Sequence, residues 1–471
     1  MWSISDDLYG EPRRTKIVRK FNEICDGIKV IKKSELVLLG APLFQEAVEY
    51  SLTPKLKNLE LMISRLKEID NHEALFLLRH CFAIPKVTYY LRSSPCFLVP
   101  SILEDFDQVL KTGVIEILNV SLSEMAYNQV ILPISKGGLG LRSVKEIAIS
   151  GYLSSVCATI SAVNLLQPEN SSYVEDCYWL MAFQQWKNLS AKTEEPSKPI
   201  YQSSWDKEIC DQNYQNLLIS APNKEEKARL LAVASPNASD WLEAIPIPAL
   251  GLKLDPMSHK ISCSLRLGSP LCHQYTCVCG VVVEPLGRHG LSCRFQIGRF
   301  SRHDEINSLL KRALVQAKIP AINEPSNLSR KDGKRPDGLT LTTWKNGKNL
   351  IWDVTVADTV CQSYINQSSK IAGAAADYRE ELKTQKYSEL AEKYWFVPVA
   401  IESMGSWGTI GHKLVKEIGK KVMQATGETR STEFLFQAIS IALQRGNASC
   451  VIGTVPHSEG LEEIFEFVSN S

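Results

Sequence analysis

The sequence has almost no net charge: 53 Lys+Arg against 52 Asp+Glu leave +1 over 471 residues. A nucleic-acid binder usually carries a basic excess, so the chain as a whole offers DNA little long-range attraction. It has no apolar run close to the roughly 18 residues that a membrane span needs. Its start, Met1–Arg14, holds Asp6 and Asp7 where a secretion signal has a basic and then an apolar segment. These absences point to an intracellular protein, in the nucleus or the cytoplasm, with no membrane partner. There is no internal repeat and no low-complexity block. Hydrophobic residues at 44% and charged ones at 22% are ordinary globular values, which excludes a mostly disordered chain. At about 100–200 residues per domain, the length allows two to four domains.

Cysteine is not scarce. The thirteen form an odd number and run from Cys25 to Cys450. In a reducing compartment they are buried thiols or metal ligands rather than disulfides. Cys263, Cys272, Cys277, Cys279 and Cys293 crowd together. Cys277-x-Cys279, nine residues, then His289-x-x-x-Cys293 offers three thiolates and one imidazole, a ligand set of structural zinc. Gly280 and Gly290 allow tight turns beside the ligands. Cys272 and His273 are spare ligands, and buried free thiols near a surface histidine are the bland alternative.

Periodicity divides the rest. Leu56, Leu59, Met62, Leu66 and Ile69 recur at helical spacing in a run from Thr53, and a second helical run covers Glu73–Ile84. Helices continue to about Leu166, interrupted by a turn at Gly137-Gly138-Leu139-Gly140. That turn lacks the Gly-Lys-Ser/Thr of a phosphate loop. Residues 167–250 read as a connector with some helix at Lys224–Ala234. From Ser301, which with Asp304 resembles a capping box, the order is helix, strand, strand, helix, strand and two more helices. The two strands, Gly338–Trp344 and Asn349–Ala357, flank Asn346-Gly347, a strong hairpin signal. This order suggests an α/β or α+β domain of about 130 residues.

The hairpin carries the second candidate site. Asp337 precedes its first strand, and Asp353 interrupts the apolar Ile351-Trp352-Asp353-Val354. A charge there is costly unless paired or metal-bound. Two carboxylates on adjacent strands can hold Mg²⁺, and a lysine can stabilise charge growing on a phosphate. Pro-Asp, an acid on the next strand and then Lys is the restriction-nuclease pattern, but Thr355 stands in the lysine's place. Lys383 is the first choice to replace it, Lys386 the second and Lys370 the third; Lys383, Lys386 and Tyr387 share a helix face. Glu324 is a possible third carboxylate or a turn residue. A satisfied structural acid at Asp353 and a solvated helix face are the competing readings. With a strict two-residue turn at Asn346-Gly347, Asp337 and Asp353 fall on opposite faces. Their convergence therefore requires a bulge, for which Gly338 is the candidate.

The combination of Cys277/Cys279/His289/Cys293, Arg335-Pro336-Asp337, Asp353 and Lys383-x-x-Lys386-Tyr387 resembles the C-terminal part of non-long-terminal-repeat retrotransposon proteins with a restriction-like endonuclease. The fifteen residues between Asp337 and Asp353, and the nine between Cys279 and His289, are slightly long for that family. Leu38-Leu39-Gly40-Ala41-Pro42-Leu43 resembles the segment after the reverse-transcriptase palm, and Leu132-Pro133 through Gly137–Leu141 the end of the thumb. Leu265-Arg266-Leu267-Gly268 resembles the family's approach to the knuckle. The resemblance implies a multidomain α plus α/β protein. Its parts would be a palm-end remnant (1–50), a helical thumb-like region (51–166), a linker (167–250) and a CCHC zinc knuckle (251–298). A PD-(D/E)xK endonuclease domain (299–425) and a helical C-terminal tail (426–471) would follow. It implies structural Zn²⁺, catalytic Mg²⁺, a DNA target and possibly element RNA. Asp6-Asp7, with Ile4 where the family has tyrosine, is at best a trace of the polymerase site, so reverse transcription by this chain alone is not expected.

Two functions follow: a Mg²⁺-dependent nicking endonuclease, or a non-catalytic, zinc-dependent nucleic-acid-binding remnant. The near-zero charge also proves to be an average. Arg294–Asn349 holds 12 basic and 5 acidic residues. Within it Arg299, Arg302, Lys311, Arg312, Lys334 and Arg335 are expected to follow a phosphate backbone.

Overall fold

The computed structural model describes residues 17–25, 31–166, 177–295, 298–328, 335–456 and 460–465; Asp6 and Asp7 lie outside them. Most of the chain is helical. A small hairpin, β1 (Val37–Leu38) and β2 (Ala41–Pro42), turns at Leu39 and Gly40, both with positive φ. Then α1 (Gln45–Leu66) buries Leu52, Leu59, Ile63 and Leu66, spaced seven, four and three apart so that they share one stripe. α2 (Asn71–Leu77) ends in a single π turn, Leu78–Phe82.

With α3 (Pro100–Leu118) and α4 (Val144–Leu166) these helices enclose one core. Among the described residues α4 alone has the length and composition of a membrane span, which amends the reading that no segment comes close. Val144, Ile147, Ala148, Ile149, Tyr152 and Leu153 of its first half are buried in this core, which accounts for its all-round apolar start.

The expected connector is a further correction. Residues 177–250 fold into α5 (Cys177–Ser190), α6 (Gln202–Ser220), α7 (Lys224–Val233) and a short turn of helix; α5, α6 and the short turn pack on the same core, while Ala232 and Val233 of α7 enter a core shared with Cys277 and Cys293. Trp186, Trp205 and Trp241 are fully buried there, and Trp186 Nε1 donates to the Trp205 carbonyl at 3.0 Å. The polar composition that suggested a linker belongs to the outer faces of these helices.

α8 (Pro256–Leu267) is buried on every side from Ser258 onward. Its Cys263 and Leu267 enter the helical core, and its Ile261 and Leu265 a core shared with Cys277 and Cys293. Arg266 on α8 donates to the Gly138 carbonyl at 2.9 Å and to Ser239 Oγ at 2.6 Å. Gly138 has no room for a side chain: a Cβ would lie 2.0 Å from the Leu132 carbonyl oxygen. The glycine turn and the Leu265–Gly268 segment, far apart in sequence, thus form one junction. The hairpin of β3 (Tyr275–Thr276) and β4 (Val282–Val283), followed by α9 (His289–Ser292), makes the knuckle itself.

α10 (Gly298–Gln316) starts three residues before the expected cap at Ser301. A four-stranded sheet follows in the order β5 (Ala321–Asn323), β6 (Gly338–Lys345), β7 (Lys348–Ala357), β8 (Trp395–Glu402). β5, β6 and β7 pair antiparallel, and β8 is parallel to β7. α11 (Ala374–Lys386) lies between β7 and β8 in sequence. Trp352 and Val354 of β7, and Val397, Val399 and Ile401 of β8, face a core shared with α10, α12 (Thr409–Thr426) and α13 (Ser431–Ile452). Asp353 alternates with these residues and so faces the opposite side, towards α11.

α13 corrects the expected C-terminal tail. Leu435, Phe436, Ile439 and Leu443 enter the sheet's core, Ile441 the helical core, and Ala448 and Val451 the knuckle's core. Its period reads as a helix from the sequence, but nothing in that period says that all its sides are covered.

Two histidines outside any candidate site are also fully packed. His72 of α2 stacks on His259 of α8 with centroids 4.6 Å apart. His72 Nδ1 accepts from the Leu254 amide at 3.1 Å, so that nitrogen is unprotonated. Burial depresses both, His72 to about 4 and His259 well below its ordinary value. A histidine depressed on folding binds its proton preferentially in the unfolded chain, so its contribution is present above the unfolded value near 6.5 and is lost as pH falls towards the folded one. Wild type is therefore expected to lose about 3 kcal/mol of its stability advantage over His72→Gln between pH 7 and pH 4. Urea unfolding of both proteins at matched pH measures this; a constant difference across the range contradicts it.

Candidate active site and metal centre

The two aspartates meet because the hairpin is irregular. Lys345 pairs with Lys348 as a tight Asn346-Gly347 turn requires, but Thr343 pairs with Asn349, Leu339 with Ile351 and Gly338 with Trp352. The register shifts twice, between Leu339 and Thr343 and between Thr343 and Lys345. The paired register ends at Gly338 and Trp352, and Asp337, the next residue, lies near enough to Asp353 for its charge to act on that carboxyl. The expected bulge is present but not at Gly338. That glycine is needed because the Trp352 indole covers it; a Cβ would lie 1.9 Å from the ring. The Asp337 amide donates to the Trp352 carbonyl at 2.9 Å, and Asp337 Oδ2 accepts the Val354 amide at 2.6 Å.

Asp353 is 3% exposed and both its oxygens are engaged. Lys383 forms an ion pair with Oδ2, and the Tyr387 hydroxyl lies 2.7 Å from Oδ1. That hydroxyl is also 3.0 Å from the Arg335 carbonyl, so its single proton serves one acceptor at a time. Lys386 Nζ donates to the same hydroxyl at 3.2 Å and sits 4.6 Å from the Tyr387 ring centre. Burial and the neighbouring Asp337 push the Asp353 carboxyl above its ordinary value, and Lys383 and Tyr387 pull it back. The helix thus supplies, at Lys383, the ammonium missing at Thr355. Lys370 is exposed in the turn before α11.

Glu324 does not join the pair. Its backbone has φ 47° and its amide donates to the Asp337 carbonyl at 2.8 Å, while its carboxylate pairs with exposed Arg335. It is a turn residue that ties β5 to Asp337.

His303 escaped the sequence reading. Its Nε2 lies 2.9 Å from Asp337 Oδ2, and that bond raises its pKa to about 9. Asn307, one turn on, lies 3.3 Å from the ring nitrogens with its Nδ2 and accepts Trp352 Nε1 at 3.0 Å. A chain of hydrogen bonds therefore runs from the sheet's core through Asn307 and His303 to the first carboxylate. The only sequence signal was His303 and Asn307 at i and i+4 of a predicted helix, too weak to place them beside Asp337.

In the knuckle, the ligand atoms of Cys277, Cys279, His289 and Cys293 all lie within 4.8 Å of one another, and the group could hold a metal ion. The Cys277 and Cys293 sulfurs are 3.8 Å apart, about the edge of a tetrahedron with Zn–S bonds of about 2.3 Å. Cys279 Sγ and His289 Nε2 are 3.2 Å apart. Three soft thiolates and one imidazole fit zinc. Cys272 is excluded: its sulfur faces the Glu284 and Pro285 carbonyls. The backbone supports the cluster. The Gly280 amide donates to the Cys277 carbonyl at 2.7 Å with φ 85° at Gly280, and the Cys293 amide to the His289 carbonyl at 2.9 Å.

The expected phosphate-contacting residues divide. Arg299 and Arg312 are exposed and Lys311 is half-buried; Lys334 lies outside the described residues. Arg335 is exposed but paired with Glu324. Arg302 is a correction. It is 4% exposed, donates to Asn447 Oδ1 at 2.5 Å and fills the space above Gly446, where a Cβ would lie 2.4 Å from its stem. It ties α10 to α13 and cannot reach a phosphate.

No family model and no curated protein matches the chain.

Proposed function

We propose that the chain is a metal-dependent endonuclease that nicks DNA, and that it corresponds to the thumb, knuckle and nuclease part of a non-long-terminal-repeat retrotransposon protein. The observation that carries this is the convergence of Asp337, Asp353 and Lys383 across a doubly shifted hairpin. Separate elements supply each group, and a structural ion pair would not require the second carboxylate. Asp337 and Asp353 are the residues that would hold Mg²⁺, which when bound polarises a phosphate and makes water more acidic. Lys383 then has a developing negative charge to meet. Tyr387 and Lys386 keep Asp353 oriented, and His303 and Asn307 do the same for Asp337. The knuckle fixes the adjoining start of α10.

Supercoiled plasmid tests the reading. Wild type with Mg²⁺ is expected to yield open circles, and Asp353→Ala to be slower by at least about 10³-fold, as when a metal-binding or charge-stabilising group is removed. Equal nicking by the two proteins removes this site from the mechanism. Salt-sensitive, zinc-dependent DNA binding with no nicking supports the non-catalytic remnant instead.

A further inference from the structure

We infer that the surface between the zinc ligands and the carboxylates is a stacking platform for single-stranded DNA, and that the nicking site takes a strand with unpaired bases beside the scissile phosphate. This rests on the nuclease reading and names its substrate form.

Two aromatic rings stand out in this region. Phe295 is 56% exposed and Phe300 74%. Each follows an arginine, Arg294 and Arg299, and the Arg294 guanidinium lies 4.9 Å from the Phe295 ring centre. Among the described residues no carboxylate pairs with either arginine. Alternating cations and open ring faces suit a single strand, whose phosphates take the cations and whose bases stack on the rings. A duplex keeps its base faces closed and has nothing to offer Phe300.

The platform's position links it to the chemistry. Arg299 and Phe300 precede His303 by four and three residues on α10, so they share its side of the helix. His303 bonds Asp337, so Phe300 lies about one helical turn from the residue that contacts the first carboxylate. Arg312, nine residues after His303, lies on the opposite side of α10 by the same periodicity. Cys293 belongs to the metal cluster, and Gly298 packs so closely on α13 that a Cβ would lie 2.9 Å from the Cys450 nitrogen. The exposed Arg294 and Arg299 give the surface the sign an anionic strand needs.

Fluorescence anisotropy of labelled oligonucleotides, with no divalent metal added, tests this separately from cleavage. Phe300→Ala is expected to weaken single-stranded DNA binding about tenfold and to leave duplex binding unchanged, with Phe300→Trp retaining wild-type affinity. In nicking assays Phe300→Ala should lose a similar factor on a substrate with an unpaired bubble relative to a fully paired one. Equal single-strand affinity for wild type and Phe300→Ala overturns the inference, as does an equal loss on duplex. Tighter binding of RNA than of DNA of the same sequence overturns the assignment to a DNA strand. If the Phe300 effect on binding appears while wild type fails to nick, the platform stands and the nuclease reading falls.

Discussion

Lys383→Met is expected to reduce nicking by about 10²–10³-fold and, in the same molecule, to destabilise the fold around the four-stranded sheet by roughly 3 kcal/mol. The two effects have different origins, and they can be separated. Asp353 is almost wholly buried, and Lys383 is the cation on its Oδ2. Removing that cation leaves a buried carboxylate with only Tyr387 to satisfy it, which is the costly way to break a buried pair. Removing both charges is not costly in that way. The double variant Asp353→Asn with Lys383→Met should therefore recover most of the lost stability while staying inactive. Denaturant unfolding and plasmid nicking on wild type and the two variants measure both quantities. If the double variant is no more stable than the single one, the Lys383–Asp353 pair is not what sets stability here. If Lys383→Met nicks like wild type, the lysine is a structural partner only.

The legible parts of this site were those fixed by local chemistry. Asp353 was visible because a charge inside an apolar strand needs a reason. The register shift was visible because a two-residue turn at Asn346-Gly347 cannot put Asp337 and Asp353 on one face. Lys383 and Tyr387 were visible from helical spacing once a lysine was missing at Thr355. What was not legible depended on tertiary packing. His303 reaches Asp337 only because α10 lies on the sheet with Asn307 against Trp352. Arg302, adjacent in sequence, faces α13 instead; charge counting cannot tell the two sides of that helix apart. The same holds for the tryptophans of 177–250 and for α13, whose surroundings come from elements distant in the chain. Thus local patterns brought out the two aspartates, Lys383 and the Cys277/Cys279/His289/Cys293 group, while composition did not register the packing of Trp186, Trp205 and α13.

Zinc removal is the other change with a large expected effect. Purified protein is expected to carry about one zinc per chain, and Cys293→Ser close to none, by elemental analysis. The loss should spread further than the four ligands. Tyr275, Val283 and Leu291 of the knuckle share a core with Val451 of α13, and Gly290 sits so near that helix that a Cβ would lie 2.7 Å from the Val451 Cα. Without the metal, β3, β4 and α9 have two short strands and one turn of helix to hold them, too little to persist alone. Hydrogen exchange in Cys293→Ser should therefore rise across Leu271–Cys293 and the last turns of α13, and stay at wild-type levels in α3 and α4, which pack in the separate helical core. Because Gly298 rests on Ser449 and Cys450, loosening the end of α13 also frees the start of α10 and with it Phe300 and His303. Nicking should then fall even though Asp337, Asp353 and Lys383 are intact, and added Mg²⁺ should not restore it. Full activity in a zinc-free protein would break the link from the knuckle through α13 to the carboxylates, and exchange rising evenly over the whole chain would show that the metal holds the entire fold rather than this one region.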